Sequence, residues 1–159
     1  MASETGTNDA FRPVSTIAGV QGVLPPNRYS QAEITEEFLK FPAFADHGDI
    51  VRSLHRSAKV THRHLVLPIE AYRDLNDFGE ANTLFIEHAV ELGCAAVTAA
   101  LDEAGLRPED VDLIMSTTVT GIMVPSLEAR VAARLGLRPD VRRVPIFGLG
   151  CVAGAAGVA

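Results

Sequence analysis

The stretch VPIFGLGCVAGAAGVA, residues 144–159, places one cysteine between an apolar run and a tail of small residues. Its first part predicts a strand, and Gly148 and Gly150 stand between that strand and the cysteine. The residues after Cys151 are all Ala, Gly or Val, and we expect them to form a closely packed helix. A cysteine at the amino end of a helix faces the positive end of the helix dipole, which favours the thiolate. Cys151 is therefore either a nucleophile or a small buried core residue.

The composition places the chain among globular proteins and argues against several classes of function. Its 159 residues make at most one domain, and 47% hydrophobic against 21% charged residues is enough apolar material for a core. A net charge of −6 argues against a nucleic-acid-binding protein, which needs a basic surface. The amino terminus lacks the features of a secretory signal, and no apolar run of about 18 residues predicts a membrane span. Cys94 and Cys151 fit no disulfide framework, so we expect a cytoplasmic, reducing setting.

Strand and helix signals alternate along the chain. Ser30 and Glu33 have the spacing of a capping box, and Gly105 and Gly136 are typical of the position just after a helix. The patterns predict strands over 15–25, 59–68, 110–119 and 142–148, a turn over 25–29, helices over 31–41, 82–104 and 126–136, and short helical pieces within 41–58. The strand over 110–119 is almost continuously apolar, which predicts burial on both faces. This order predicts an α/β fold over residues 15–159, after a disordered tail over residues 1–14.

Hydroxyl side chains and a Gly/Pro turn follow the apolar strand, in the segment STTVTGIMVPS at residues 116–126. Ligands of α/β proteins bind at the carboxyl ends of the strands. The segment is therefore a candidate binding loop, although a polar strand exit without any ligand has the same pattern. Cys94 lies in the middle of the predicted helix over 82–104, away from either dipole end, and there we expect core packing.

Three cations, Arg56, Lys59 and Arg63, lie near the predicted strand over 59–68. Such a cluster is able to hold phosphate groups, and it equally fits a solvated basic face. His62 and His64 alternate with Arg63, but no further His, Cys or carboxylate has a matching spacing. We therefore expect no metal site.

Together, these segments resemble the type III polyketide synthases, the chalcone and stilbene synthase family. Residues 144–159 resemble the segment of the family that carries the nucleophile, and residues 116–126 resemble the segment upstream of it, with Pro125 and Cys151 at the family's separation. The linker RLGLRPDVRRVPI, residues 134–146, and the segment VTHRHLVLPIE, residues 60–70, resemble further family segments. The resemblance extends from about Thr16 to Ala159.

The resemblance implies the N-terminal half of a thiolase-like αβαβα fold. It also implies decarboxylative condensation of an acyl-CoA starter with malonyl-CoA extenders in a homodimer, with coenzyme A thioesters as substrates and no bound cofactor or metal. In that chemistry Cys151 carries the growing chain as a thioester. Arg56, Lys59 and Arg63 would hold the phosphates of coenzyme A. Val119, Thr120, Met123 and Val124 would line the substrate pocket or the dimer interface.

Two departures from the family pattern matter. The family's catalytic histidine and asparagine lie downstream, and none of the five histidines here occupies that motif. We therefore expect this chain to be the N-terminal portion of such an enzyme, truncated after the nucleophile and inactive alone. Val119 stands where a bacterial subgroup that makes tetrahydroxynaphthalene has cysteine, which favours an alkylpyrone or alkylresorcinol product. The alternatives are a ketoacyl synthase III, an HMG-CoA synthase-like enzyme, or a catalytically dead truncated paralogue.

Overall fold

The computed structural model describes residues 15–158, so the predicted disordered tail over residues 1–14 lies outside the described residues. Helices and strands fall into two groups along the chain. The first group comprises β1 (Asn27–Ser30), α1 (Gln31–Phe38), α2 (Pro42–Ala45), α3 (Gly48–Ser57), β2 (His62–Leu65) and a 3₁₀ helix (Ile69–Asp74). The second comprises α4 (Phe78–Ala104), a 3₁₀ turn (Pro108–Asp110), β3 (Leu113–Thr118), α5 (Leu127–Leu135), β4 (Arg142–Phe147), a 3₁₀ turn (Gly150–Val152) and α6 (Ala153–Val158).

The first group consists of two short antiparallel strands, the three α-helices between them and a 3₁₀ helix. β1 pairs with β2, with Asn27 opposite Leu65, and the Gln31 amide extends this contact by donating to Thr61 O at 2.8 Å. The turn predicted over 25–29 was therefore wrong in part, because its second half is strand β1. The strand predicted over 59–68 is shorter than expected and ends at Leu65, because a 3₁₀ helix begins four residues later.

The segment over 15–25 was predicted as a strand, and this prediction was wrong. It has no regular secondary structure and runs along the end of α4. There the Val20 amide and the Gln21 side-chain amide both donate to the Glu103 carboxylate, at 2.8 and 3.2 Å. A strand needs the backbone partners of a neighbouring strand. In this part of the described chain the Val20 amide bonds a side chain instead.

A parallel pair, β3 and β4, organises the second group. The register sets Leu113 opposite Arg142 and Thr118 opposite Phe147, and α5 connects the two strands. The core between them contains Ala132, Leu137 and Val141. α4 packs on α5, and at Gly93 the helices approach so closely that a β-carbon would lie 3.1 Å from a methyl group of Val131.

The prediction that the strand over 110–119 is buried on both faces was wrong for β3 as described. Exposed and half-buried residues alternate along β3, and Leu113 and Met115 are exposed. A strand with partners on both sides and helices on both faces loses this alternation. Within the described residues β3 has one hydrogen-bonded neighbour, β4, and packs mainly against the short helices α5 and α6.

α4 begins at Phe78, four residues earlier than predicted, because Asp77 caps it by accepting from the Glu80 amide at 2.9 Å. It ends before Gly105, as predicted. Its 27 residues make it the one helix within residues 15–158 that is long and apolar enough to cross a membrane, by length and composition alone. The core helix of a globular protein passes the same test, and α4 packs along α5.

The capping box of α1 gives a prediction about stability. Ser30 Oγ accepts from the Glu33 amide at 3.2 Å, and the Ser30 amide donates to the Glu33 carboxylate at 2.7 Å. The Ser30 hydroxyl also donates to the Glu33 carboxylate at 2.7 Å, and this bond, followed by that of the Ser30 amide, lowers the pKa of Glu33. We expect Ser30→Ala to reduce the free energy of unfolding at pH 7 by about 1 kcal/mol, as is typical for loss of an N-cap.

The pH dependence of this effect follows from the sign of the pKa shift. Because the folded-state pKa of Glu33 is depressed, the ionised carboxylate stabilises the fold above its ordinary pKa, and this stability is lost as the pH falls through the lower folded value. The difference between wild type and Ser30→Ala should therefore shrink below about pH 4. Urea denaturation at several pH values measures it, with Ser53→Ala in α3 as the control. An equal difference at pH 7 and pH 3.5 would contradict the assignment.

Candidate active site

Cys151 lies in a tight turn directly after β4. Gly148 and Gly150, at φ of 83° and 57°, adopt the left-handed backbone conformation that favours glycine. Cys151 is the middle residue of the 3₁₀ turn that leads into α6. The predicted order of strand, glycines, cysteine and helix is confirmed. α6 has only six residues, so its dipole is that of a short helix.

Cys151 is exposed and its thiol is free, so the core-packing interpretation of this residue was wrong for the described structure. The same holds for the expectation of a packed helix after it, since only Ala153 in α6 is buried. The other cysteine, Cys94, is half-buried in α4, and burial raises the pKa of its thiol, which disfavours the thiolate. The two cysteines therefore differ in exposure.

The parallel register brings the two candidate segments together. Because Thr118 lies opposite Phe147, Val119 and Gly148 leave the β3–β4 pair at the same edge. The loop over 119–125, which follows β3, and the turn that carries Cys151 are therefore neighbours at the carboxyl ends of the strands. This is the edge at which α/β folds bind their ligands.

A buried carboxylate anchors the far end of that loop. Glu128, in the first turn of α5, is only 1% exposed and accepts hydrogen bonds from the hydroxyls of Ser116 in β3 and Ser126. Ser126 is the N-cap residue of α5, as predicted, but no side-chain hydrogen bond caps the helix. The sequence pattern did not single out Glu128; its only signal was an acidic residue two positions after a capping serine.

Four residues were predicted to line a substrate pocket, and they have different surroundings in the described structure. Met123 is half-buried and lines a cavity of about 70 Å³ between β3, β4 and the start of α5. Val119 is 55% exposed, Val124 is 89% exposed, and Thr120 is exposed as well. Their role in a pocket stays a prediction.

Two of the three predicted phosphate-binding cations share a groove. Arg56 at the end of α3 and Lys59 just after it line a cavity of about 480 Å³ beside α1. Arg52, one turn earlier on α3, lines the same cavity and bonds the Glu36 carboxylate at 3.0 and 3.1 Å. The sequence pattern missed Arg52, although its spacing of four from Arg56 places both on one helix face.

Arg63 does not join this groove. Its side chain lies along a separate, largely apolar cavity of about 550 Å³, which Phe38, Phe41 and Phe44 also line. Its Nε donates to Gln31 Oε1 at 2.9 Å. The three predicted cations therefore line two neighbouring cavities and do not form one cluster. Arg63 is hydrogen-bonded to Gln31, a side chain of α1.

Within residues 15–158, no group of three or more His, Cys, Asp or Glu side chains has the arrangement of a metal site. The two alternating histidines have other partners. His62 Nδ1 lies 3.1 Å from the Thr61 hydroxyl, and His64 Nδ1 donates to Pro25 O at 2.8 Å.

Comparisons with known proteins bear on the whole chain. A family profile described as the N-terminal domain of chalcone and stilbene synthases matches residues 3–159. The chain is 49% identical, over 91% of its length, to a 1,3,6,8-tetrahydroxynaphthalene synthase of Streptomyces peucetius subsp. caesius. It is 29% identical, over 91% of its length, to a phloroglucinol synthase of Pseudomonas fluorescens. These alignments span 38% and 42% of the two relatives.

A comparison with solved structures points to the same family. The crystal structure of the tetrahydroxynaphthalene synthase of Streptomyces coelicolor A3(2), a bacterial type III polyketide synthase, superimposes with a TM-score of 0.75 at 28% identity. The superposition covers 86% of this chain and 39% of that enzyme. The predicted α/β class, the N-terminal half of a thiolase-like fold, is confirmed. The chain therefore belongs to the chalcone and stilbene synthase family and corresponds to the N-terminal domain of its members.

Proposed function

We propose that the protein carrying this chain is a type III polyketide synthase in which Cys151 is the acyl-carrying nucleophile. The observation that carries the proposal is the position of Cys151. It is an exposed free thiol in a glycine turn at the carboxyl edge of β3 and β4, beside the loop over 119–125. Exposure is what an attacking thiol needs, because the thioester carbonyl must reach Sγ.

In the loading step, Cys151 Sγ attacks the thioester carbonyl of the starter acyl-CoA. A bond forms between Sγ and the acyl carbon, the bond from that carbon to the sulfur of coenzyme A breaks, and coenzyme A leaves as the thiol with the proton from Cys151. In the extension step, malonyl-CoA loses CO₂ and its carbanion attacks the acyl carbon on Cys151. A carbon–carbon bond forms, the thiolate of Cys151 is released, and the lengthened chain remains on coenzyme A.

The carbanion and the tetrahedral intermediates need positioned hydrogen-bond donors, which contribute roughly 10²–10³ in rate each. The family resemblance assigns those donors to a histidine and an asparagine outside this chain. We therefore propose that residues 1–159 supply the nucleophile and part of the pocket, that the reaction is completed by the remainder of a homodimeric, cytoplasmic enzyme, and that it uses no metal or bound cofactor.

The groove beside α1 is the proposed binding site for the phosphates of coenzyme A. Arg56 and Lys59 give it positive charge, since Arg52 is paired with the Glu36 carboxylate that lines the same groove, and Gln31 adds a further donor. Gln31 is only 8% exposed and its Nε2 has no hydrogen-bond partner, while its Oε1 is taken by Arg63. A buried amide N–H without a partner costs free energy, which a phosphate oxygen in the groove would recover.

The product class has two candidates, each with one observation behind it. Val119 at the mouth of the loop favours an alkylpyrone or alkylresorcinol, made from a long acyl starter. The 49% identity to a tetrahydroxynaphthalene synthase favours a product of that type. We propose the first, because Val119 supplies an apolar wall where the resemblance places a thiol in tetrahydroxynaphthalene-forming enzymes.

Removal of the nucleophile tests the mechanism. We expect Cys151→Ala to abolish acyl transfer from acyl-CoA to the protein, measured by intact-mass spectrometry on the complete gene product. Cys94→Ala is the matched control and should still be loaded, because Cys94 is half-buried in α4. A stable acyl adduct on the Cys151→Ala protein would show that another residue is the nucleophile.

Removal of the groove charges tests the coenzyme A site. We expect the double variant Arg56→Ala, Lys59→Ala to raise KM for malonyl-CoA by about tenfold, the effect of losing roughly one charge-assisted hydrogen bond. The increase should be smaller at high salt, because the interaction is electrostatic. Arg107→Ala, an exposed cation before β3, is the control. Equal KM values for the double variant and the control would assign Arg56 and Lys59 to the solvated surface.

Enlargement of the pocket wall tests the product. We expect Val119→Phe to shift the products toward shorter chains, because the larger ring occupies space at the exit of β3. The control is Val20→Phe, a more exposed position beside the end of α4. Liquid chromatography with mass spectrometry compares reactions with malonyl-CoA alone and with a long-chain acyl-CoA. An unchanged distribution for the folded Val119→Phe protein would place Val119 outside the pocket, and tetrahydroxynaphthalene from wild type would overturn the proposed product class.

A further inference from the structure

The loop over 119–125 is attached to α4 by one side chain. Asn82 Nδ2 donates to Ile122 O at 2.9 Å, and the Ile122 amide donates to Asn82 Oδ1 at 2.8 Å. The side-chain amide thereby pairs with both backbone groups of one residue, as a neighbouring strand would. Among side chains of this size, only an amide offers the donor and the acceptor that this contact uses.

A close steric contact lies next to this pair. Phe85, three residues after Asn82 and so on the same face of α4, lies against Gly121. A β-carbon built on Gly121 would lie 2.1 Å from ring atom Cδ1 and 2.5 Å from Cγ of Phe85. At Gly121 and Ile122, the backbone of the loop therefore lies directly against side chains of α4.

The other end of the loop is held from α5. Arg130 Nε donates to Pro125 O at 2.9 Å and its Nη2 donates to Val124 O at 3.3 Å. At the start of the loop, the hydroxyl of Thr118, the last residue of β3, donates to Gly121 O at 3.1 Å. The backbone of the loop is thus fixed at both ends, while its side chains Val119, Ile122 and Val124 are exposed.

We propose that Asn82 is a positioning residue that determines how long a chain the enzyme makes. The proposal rests on the function proposed above, in which this loop is one wall of the acyl pocket. A wall with a fixed backbone offers a fixed volume, so elongation stops when the growing chain fills it. Without the Asn82 bonds, the loop backbone around Ile122 moves and the pocket enlarges. The enzyme then releases longer and more mixed products.

The test compares two Asn82 variants with one control. Asn82→Ala removes both bonds, and Asn82→Asp keeps the shape and the acceptor while removing the donor to Ile122 O. Thr83→Ala is the control, since the Thr83 hydroxyl donates only within α4, to Gly79 O. Three readouts are taken on the complete gene product: acyl loading by intact mass, the distribution of product lengths, and amide hydrogen exchange of the peptide containing Ile122.

We expect normal loading in all three variants. In Asn82→Ala, which removes two hydrogen bonds, the ratio of longer to wild-type-length products should rise at least about fivefold, the factor for the loss of one such bond, and exchange at Ile122 should accelerate by a similar factor. Asn82→Asp, which keeps the acceptor for the Ile122 amide, should shift both in the same direction by a smaller factor, and Thr83→Ala should shift neither.

Two outcomes overturn the proposal. One is a wild-type product distribution in an Asn82 variant whose exchange at Ile122 is accelerated, which shows that the loop backbone does not set chain length. The other is a lowered thermal midpoint and lowered total turnover with unchanged product ratios, which assigns Asn82 a purely structural role. If wild type itself makes no polyketide, the proposed function fails instead, and normal Cys151 loading separates that result from the first two.

Discussion

Because β3 and β4 run parallel with Thr118 opposite Phe147, both strands must leave the sheet at one edge. The two candidate functional segments are the loop over 119–125 and the turn around Cys151, and each begins within four residues of that edge. α5 connects the strands and contributes Glu128 and Arg130, which fasten the loop between them. If the register slipped by one residue, every side chain of β4 would exchange faces and the turn with Cys151 would no longer meet the loop.

Local patterns were sufficient for the elements that build this edge. The glycines before Cys151, the small residues after it, and the Pro125 turn are short-range signals whose conformational consequences depend little on the rest of the chain. The capping box at Ser30 and the helix end at Gly105 are local in the same sense. In the second group of elements, the predicted and observed positions of β3, α5 and β4 therefore agree within about three residues.

Features that depend on distant partners did not follow from the sequence. Residues 15–25 have the composition of a strand, but whether they form one depends on a neighbouring backbone, and here Glu103 takes the Val20 amide instead. Asn82 was interpreted as the start of a helix, yet its role arises from Ile122, forty positions away. Arg56 and Arg63 belong to one sequence cluster, but they line different cavities because a helix end and a strand direct them to different sides of α1.

The parallel pair also has a consequence for the order in which the chain acquires its structure. The crossover between β3 and β4 runs over residues 119–141 and includes α5, and because the entropic cost of closing a loop grows only slowly with its length, bringing the two strands together costs little. Contacts of low sequence separation form early, and domains begin to fold while synthesis continues at about 5–20 residues per second. We expect the β3–α5–β4 unit to form a nucleus around Val131, Leu137 and Val141 soon after it leaves the ribosome. Leu113 and Met115 stay exposed on β3 in that unit, and we expect α6 to pack against β3 afterwards.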